Sequence, residues 1–391
     1  MKIVDVCAFY APEGGGVKTY IDRKLVAGPA FGHEIVIIAP GDDDRVEERG
    51  PDARIRYIKQ PTFPLDSNYR YFRDQAGLYA ALDDEAPDFV EASSPWRSAR
   101  LVAEWPGAAP RALIMHADPL SVYAYRWFGA VASRPTIDKQ FGWFWRHLLR
   151  IDPRFDVVIS AGQAFSDRLI EGGLTNVVTN PMGVTQDAFS PTFRDEALRA
   201  RLLDRCALPP SATLLLGVGR HHPEKRWPMV IEAVTAAGIQ AQVGFVLVGQ
   251  GRDGSNIARA MEGNPHIHLV SPISDRGELA RLFASADALM HGSDAETFCM
   301  VAAEARASGL PIIAPDGGAV ADHVRASHGW SYEPANAAAA AAAIGDFLAA
   351  PRAEVRARAI ELAASVRTMD AHFAELFHCY ETLVADVRQA A

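Results

Sequence analysis

The stretch His291–Pro315, HGSDAETFCMVAAEARASGLPIIAP, reads as loop, helix, glycine stop and buried strand. Ser293 and Asp294 are helix-capping residue types, and the run from Thr297 to Ser308 is rich in Ala with Met300 and Val301. Gly309 stands where a left-handed residue ends a helix, and LPIIAP supplies a short apolar strand. The same alternation recurs on both sides of this stretch, which predicts an α/β protein built on parallel sheets. Residues 2–9 (KIVDVCAF), EIVIIAP, ARIRYIKQ, PDFVEAS, RALIMHADP and FDVVIS read as strands of a first half, separated by helical segments. TLLLGVGR, GFVLVGQG, IHLV and DALMH repeat the pattern in a second half.

Two carboxylates in the opening stretch need an account. Glu296 precedes the predicted helix body and Glu304 follows eight positions later. Were the segment helical throughout, they would stand roughly 12 Å apart along the axis, about the reach from a sugar across a diphosphate to a ribose. A helix N-terminus between them presents unpaired amides and the positive end of its dipole to an anion. Glu296 would then accept hydrogen bonds from sugar hydroxyls and Glu304 from ribose hydroxyls. The alternative is a surface glutamate on an Ala-rich helix, balanced by Arg306. Spacing alone leaves both readings open.

Other candidates sit at predicted strand ends, where open α/β sheets bind ligands. Gly14, Gly15 and Gly16 follow the first strand and expose bare backbone, either as a flexible turn or to a phosphate or sugar. They do not form GxGxxG, so a dinucleotide fold is poorly supported. His116 and Asp118 follow RALIM, where a histidine either meets a ligand or bonds within its loop. Arg220, Lys225 and Arg226 cluster after TLLLGVG, Arg forks and a Lys point charge suited to a diphosphate, or a solvated basic turn. Pro228 is placed to open the helix that follows.

Glu-x-Phe, a second Glu after seven intervening residues, and Ala-x-x-Ser-Gly-x-Pro resemble the signature of retaining GT-B glycosyltransferases of the family 4 type, the glycosyl transferases group 1. The usual Gly after the Phe is Cys299 here. Gly-Arg-x-x-x-Glu-Lys resembles that family's phosphate-binding pair, placing its roles on Arg220 and Lys225. The resemblance covers nearly the whole chain. It implies two Rossmann-like domains facing across a cleft, with a C-terminal helix crossing back to the first. It implies Arg220, Lys225, Glu296 and His116 as the catalytic set, and Gly15, Gly16, Ile273, Thr297, Phe298, Cys299, Met300 and Glu304 around the donor. The loop Ser271–Ser274 would cradle the base by main chain. Domain bounds on this reading are 1–185 for the acceptor side, 186–210 for a linker, 211–365 for the nucleotide-sugar side and 366–391 for the returning helix.

The implied reaction moves a sugar from a UDP- or GDP-linked donor to a hydroxyl of a glycan, lipid-linked or small-molecule acceptor, with retention. Cations and a helix N-terminus would stabilise the leaving diphosphate, so no metal and no cofactor is expected. Asp42, Asp43 and Asp44 read as a solvated loop rather than ligands. A sugar phosphorylase, a nucleotide-sugar epimerase or a non-catalytic nucleotide-sugar binder are the competing classes. The stretch 121–150, with Trp143, Phe144, Trp145, Arg146, His147 and Arg150, either rims an acceptor site, touches the inner membrane surface or packs as core.

Bulk properties narrow the field. The 391 residues are 49% hydrophobic and 22% charged, with a formal net charge of −9. That balance gives no footprint for nucleic acid. Four scattered cysteines, Cys7, Cys206, Cys299 and Cys379, form no CxxC pair and suit a reducing cytoplasm. MKIVDVCAFY is too short and acidic for a signal peptide, and a cytoplasmic or peripherally membrane-bound location is expected.

Overall fold

The computed structural model describes residues 1–11, 15–64, 69–120, 124, 134–185 and 187–390. The chain divides into two compact units. Unit 1 comprises Met1–Leu120, Phe128–Pro181 and Asp370–Ala391, and unit 2 comprises Ser121–Trp127 and Met182–Met369.

Unit 1 holds eight strands: β1 Lys2–Val6, β2 Glu34–Gly41, β3 Arg45–Gly50, β4 Ala53–Lys59, β5 Phe89–Ala92, β6 Arg111–Met115, β7 Val157–Ser160 and β8 Val177–Thr179. Their order is β3-β4-β2-β1-β5-β6-β7-β8. All neighbours pair in parallel except β3 with β4. The central strands are buried on both faces, which is why Ile3, Val4, Val36, Ile37, Val90 and Val158 form unbroken apolar runs. The helix Gly16–Ala30 covers one side with Tyr20, Ile21 and Leu25. The last helix, Met369–Ala390, belongs to this unit and stacks Tyr380 on Phe89 with ring centroids 4.0 Å apart.

A fully buried polar group sits where these elements meet. Lys24 Nζ lies 2.8 Å from Asp5 Oδ2 on β1 and also pairs with Glu91 on β5. Tyr380 donates its hydroxyl to Glu91, and Ser93 Oγ donates to Asp5 Oδ2 at 2.9 Å. Buried charges of this kind add little net stability but fix which surfaces can meet, because a shifted helix would strand them unpaired. Here they tie the C-terminal helix to one place on the sheet.

Unit 2 holds β9 Thr213–Val218, β10 Val243–Val248, β11 Ile267–Val270, β12 Ala288–Met290, β13 Ile312–Pro315 and β14 Trp330–Tyr332, in the order β11-β10-β9-β12-β13-β14. Every pairing is parallel. Pro228 lies in the first turn of the helix Trp227–Gly238, as expected. The Ala run forms the helix Ala337–Ala349, with Asn336 capping it through Ala339 N–H.

Several expectations are corrected. The antiparallel β3 was not foreseen, because RVEERG is exposed and carries no apolar pattern to read. The helix that follows PDFVEAS begins after Trp96, its N-cap residue, whose N–H donates to Ser94 Oγ at 3.4 Å. Segment 186–210 is not a linker, since Glu196–Arg205 is a helix of unit 2 with Arg199 and Leu203 buried. The helix expected over 366–391 is Met369–Ala390, and a separate helix, Arg352–Ala363, precedes it. Asp42, Asp43 and Asp44 are exposed, as expected of a solvated loop.

Replacing Tyr380 with Phe removes one donor from the buried Glu91 carboxylate. The expected cost is about 1.5–3 kcal/mol in denaturant unfolding. Amide exchange over Met369–Ala390 should rise selectively, and unchanged exchange there would refute the tethering role.

Candidate functional site

In unit 2 the strand order reverses about β9, with β10 on one side and β12 on the other. The crevice at the carboxyl ends of such strands is where open α/β sheets bind ligands. Lys225 follows β9 and Glu296 follows β12, 71 residues apart, and their side chains form a direct ion pair. Both are mostly buried, at 12% and 23% side-chain exposure. Burial works against the Lys225 ammonium, but Glu296 more than offsets it and raises the pKa. Burial likewise favours neutral Glu296, yet Lys225, helped by His291 and Arg220, brings it down to about 2. Glu296 is therefore a carboxylate at neutral pH, an acceptor of hydrogen bonds and not an acid.

The loop that carries Glu296 is fixed at many points. Arg226 Nη1 reaches Asp294 Oδ1 at 2.6 Å and the Gly292 carbonyl at 3.2 Å. Gly292 is needed here, because a Cβ would lie 2.5 Å from the Lys225 carbonyl oxygen. Ala319 N–H donates to the Glu296 carbonyl at 3.2 Å. Farther on, the Phe298 carbonyl accepts from His323 Nε2 at 2.7 Å, while Arg306 Nη1 meets His323 Nδ1 at 3.4 Å. An arginine can only donate, so His323 is neutral with its proton on Nε2.

The helix begins at Met300, not Thr297, and runs to Ala307. Cys299 precedes it with φ 66°, a left-handed conformation that costs a β-carbon residue energy and explains why glycine suits the position. Ser293 and Asp294 do not cap it, because Ser293 Oγ accepts from Ala295 N–H and Asp294 pairs with Arg226. Gly309 has φ 66° and ends the helix as expected. Only four helical steps separate Met300 from Glu304, roughly 6 Å, and a loop covers the rest. Glu296 and Glu304 therefore do not share one continuous helix, and the roughly 12 Å axial separation expected of one does not apply.

Glu304 is buried and accepts from Arg276 Nη2 at 2.9 Å. Arg276 also lies over the Phe189 ring at 4.8 Å. This partner, 28 residues away, was missed. Ile273 is half-buried in the coil that precedes Arg276, between exposed Pro272 and Ser274. Thr297 and Met300 are half-buried at the helix mouth, and Phe298 is buried with its ring edge-on to His323. Arg220 is 74% exposed and lies 3.5 Å from Glu224. Arg226, grouped with Arg220 and Lys225 in the sequence, is a strap across the loop instead.

In unit 1, His116 follows β6 half-buried, edge-on to Tyr20 at 5.0 Å, and burial pushes its pKa down to about 4. Asp118 pairs with Arg168. Gly15 precedes the helix Gly16–Ala30, and a Cβ on Gly15 or Gly16 would meet open space. Gly14 and most of 121–133 lie outside the described residues. Of the aromatic stretch, Phe144, Leu148 and Ile151 are buried in the helix Gly142–Ile151, while Trp143 is 51% exposed.

Residues 204–366 match the family described as Glycosyl transferases group 1, and residues 15–183 match the Glycosyl transferase 4-like domain. A GDP-mannose-dependent alpha-(1-6)-phosphatidylinositol dimannoside mannosyltransferase of Mycobacterium tuberculosis is 30% identical over 341 residues, 83% of this chain and 84% of that protein. The chain belongs to the group 1 glycosyltransferases. A GDP-mannose-dependent alpha-mannosyltransferase of the same species is 29% identical over 329 residues, 82% and 81% of the two chains. Sucrose-phosphate synthase from Thermosynechococcus elongatus shares the GT-B fold, with TM-score 0.77 at 20% identity over 99% and 100% of the two chains. Anabaena HepE in complex with UDP and glucose superposes with TM-score 0.68 at 17% identity over 97% and 98%. This protein is thus a glycosyltransferase that uses a nucleotide sugar.

Two histidines of this glycosyltransferase's second unit give it a pH signature. Burial holds both His291 and His323 near pKa 4, below the ordinary 6.5. The unfolded chain therefore binds protons between those values that the folded unit refuses. Stability is full above about pH 6.5 and falls toward pH 4, by up to about 1.4 kcal/mol per pH unit for each histidine. Denaturant midpoints measured at about pH 7 and pH 5 check this, and equal midpoints would contradict it.

The Lys225–Glu296 pair yields a second test. Lys225→Met alone leaves a buried carboxylate without its cation, at an expected cost of about 3 kcal/mol. The double variant Lys225→Met with Glu296→Leu should lose less than the single one. A double loss equal to the sum of the two singles would show that the charges are not coupled.

Proposed function

We propose that this protein is a retaining mannosyltransferase that moves mannose from GDP-mannose to a hydroxyl of a glycolipid or other lipid-linked acceptor, without a metal. The observation that carries the reading is the buried Lys225–Glu296 pair beside the first turn of the helix Met300–Ala307. In the proposed complex the diphosphate lies against Lys225, Arg220 and the amides at the start of the helix, Met300 and Val301, Ala302 N–H being bonded to the Cys299 carbonyl. Glu296, ionised, accepts from the sugar hydroxyls. Glu304, held by Arg276, accepts from the ribose hydroxyls. The loop with Ile273 holds the base, and Thr297, Phe298, Cys299 and Met300 line the turn around the phosphates.

Chemistry follows from that placement. Breaking the sugar–phosphate bond builds negative charge on the diphosphate, and fixed cations with oriented amides stabilise charge that develops there. This is the support for metal independence. Retention proceeds on one face of the sugar, the leaving phosphate helping to take the acceptor proton. Gly15, Gly16 and His116 carry donor-side roles on the strength of the family resemblance alone. GDP, mannose and a lipid-linked acceptor are supported by what the mycobacterial relatives are named for. Peripheral membrane contact is supported by exposed Trp143 and Leu149 with exposed Arg146 and Arg150 on one short helix. No helix among the described residues is long and apolar enough to cross a membrane.

A thermal-shift panel of GDP-mannose, UDP-glucose and an ADP-sugar tests the donor. GDP-mannose alone should raise the melting temperature, by an increment that Glu304→Ala abolishes. Arg220→Ala and Glu296→Ala should each lower kcat by about 10²–10³-fold. A shift with UDP-glucose instead would overturn the donor, and phosphorolysis without nucleotide would point to a sugar phosphorylase.

A further inference from the structure

The loop that holds Glu296 brings together a second set of chemistry. His291 Nε2, a Glu296 carboxylate oxygen and Cys299 Sγ all lie within 4.8 Å of one another. Nε2 is 3.7 Å from Sγ and 3.7 Å from Glu296 Oε1. Donors on one tetrahedral ion at zinc's bond lengths stand roughly 3.5 Å apart, so the two pairs that share His291 are already near that spacing and the third lies within 4.8 Å. His291 and Cys299 are buried beneath the partly exposed Glu296, which leaves the carboxylate side as the way in. Nδ1 of His291 is buried with no hydrogen-bond partner, and a metal at Nε2 would place the ring proton there.

We propose that His291, Glu296 and Cys299 form an inhibitory site for a borderline-soft divalent cation of the Zn²⁺ class. The mixed nitrogen, sulfur and oxygen set selects that class over Mg²⁺ or Ca²⁺, which take oxygen ligands. A water molecule completes the tetrahedron. Binding forms three protein–metal bonds and breaks the Cys299 S–H bond, whose proton passes to solvent. No electron transfer is involved. The thiolate then sits at the N-terminus of the helix Met300–Ala307, where the dipole favours it.

The same geometry makes the ion an inhibitor and not a resident cofactor. Lys225 already pairs with Glu296 Oε1, so an ion on that carboxylate displaces the ammonium and places like charge beside it. Empty, the site leaves Glu296 paired with Lys225. Loaded, it takes Glu296 away from any sugar hydroxyl. Inhibition thus rests on the donor role proposed for Glu296, whereas binding does not.

Co²⁺ titration of the full chain tests the binding half without reference to turnover. The expected result is one equivalent bound, with a thiolate-to-cobalt charge-transfer band and intense visible bands of tetrahedral cobalt, both bleached by Zn²⁺. Cys299→Gly and His291→Asn should lose the bands, with a drop in affinity of more than about 100-fold. Cys379→Ser, altering a cysteine outside the cluster, should keep them. Circular dichroism and melting temperature establish that each variant is folded. Absence of the bands, or their survival in Cys299→Gly, overturns the site. In transfer assays Zn²⁺ should inhibit the wild type and spare the residual activity of Cys299→Gly. Binding without inhibition overturns the inhibitory role and traces the failure to Glu296, whereas a protein with no transfer at all still gives or withholds the cobalt spectrum.

Discussion

The second unit is organised around one ion pair. Lys225 and Glu296 come from loops that leave β9 and β12, neighbours at the point where the strand order turns back. Two largely buried opposite charges leave little choice of conformation, since separating them would strand each in a poorly solvated place. Much of the local structure can be read as what holds those loops at the required distance. Arg226 adopts a left-handed backbone so that its side chain can cross to Asp294 and the Gly292 carbonyl. Trp227, fully buried, donates to the Arg220 carbonyl at 3.1 Å and fills the floor. Gly292 lacks a side chain because the backbone of Lys225 occupies the space.

Local patterns in the sequence show the strands and most helices, and they single out Lys225 and Glu296, which the structure pairs. Apolar runs of strand length, Pro228 at a helix start and Gly309 at a helix end are local signals, and each lies where the structure puts it. Pairings were not legible, because they join residues far apart in the chain. Nothing near Glu304 announces Arg276, and nothing in Gly-Arg-His-His-Pro-Glu-Lys-Arg says that Lys225 faces the loop while Arg226 straps it. The helix start was misplaced for a related reason. The Ala-rich run suggests a helix but does not mark its first residue, and the contacts of Glu296 and Phe298 hold the loop open until a left-handed Cys299 turns it inward. Tertiary contacts overrode a weak local preference. The β3 hairpin was invisible because an exposed edge strand needs charge rather than an apolar stripe.

Unit 1 applies the same device to a structural end. Its buried Lys24, Asp5 and Glu91 receive Tyr380 from the far end of the chain, so the C-terminal helix docks by a polar match inside an aromatic contact. Apolar packing alone would tolerate sliding along the sheet by a turn, whereas an unsatisfied buried carboxylate would not. In both units, then, ionised groups removed from water specify geometry, and apolar burial supplies the stability that lets them do so.

A pair that specifies geometry also sets terms for a ligand. Under the proposed reading, an incoming donor must divide Lys225 from Glu296, giving the first a phosphate and the second a sugar hydroxyl. A nucleoside diphosphate without its sugar satisfies only the cation and leaves the carboxylate buried and unmatched. A free sugar does the reverse. Only a molecule carrying both groups at the right separation returns a partner to each charge, and unpaired buried groups are what reject near-misses most strongly. On that reading the ion pair is a stand-in for the donor, keeping both charges in place until one molecule replaces the two contacts together. Its low Glu296 pKa, about 2, is the same fact seen electrostatically: the carboxylate is ready to accept hydrogen bonds before any substrate arrives.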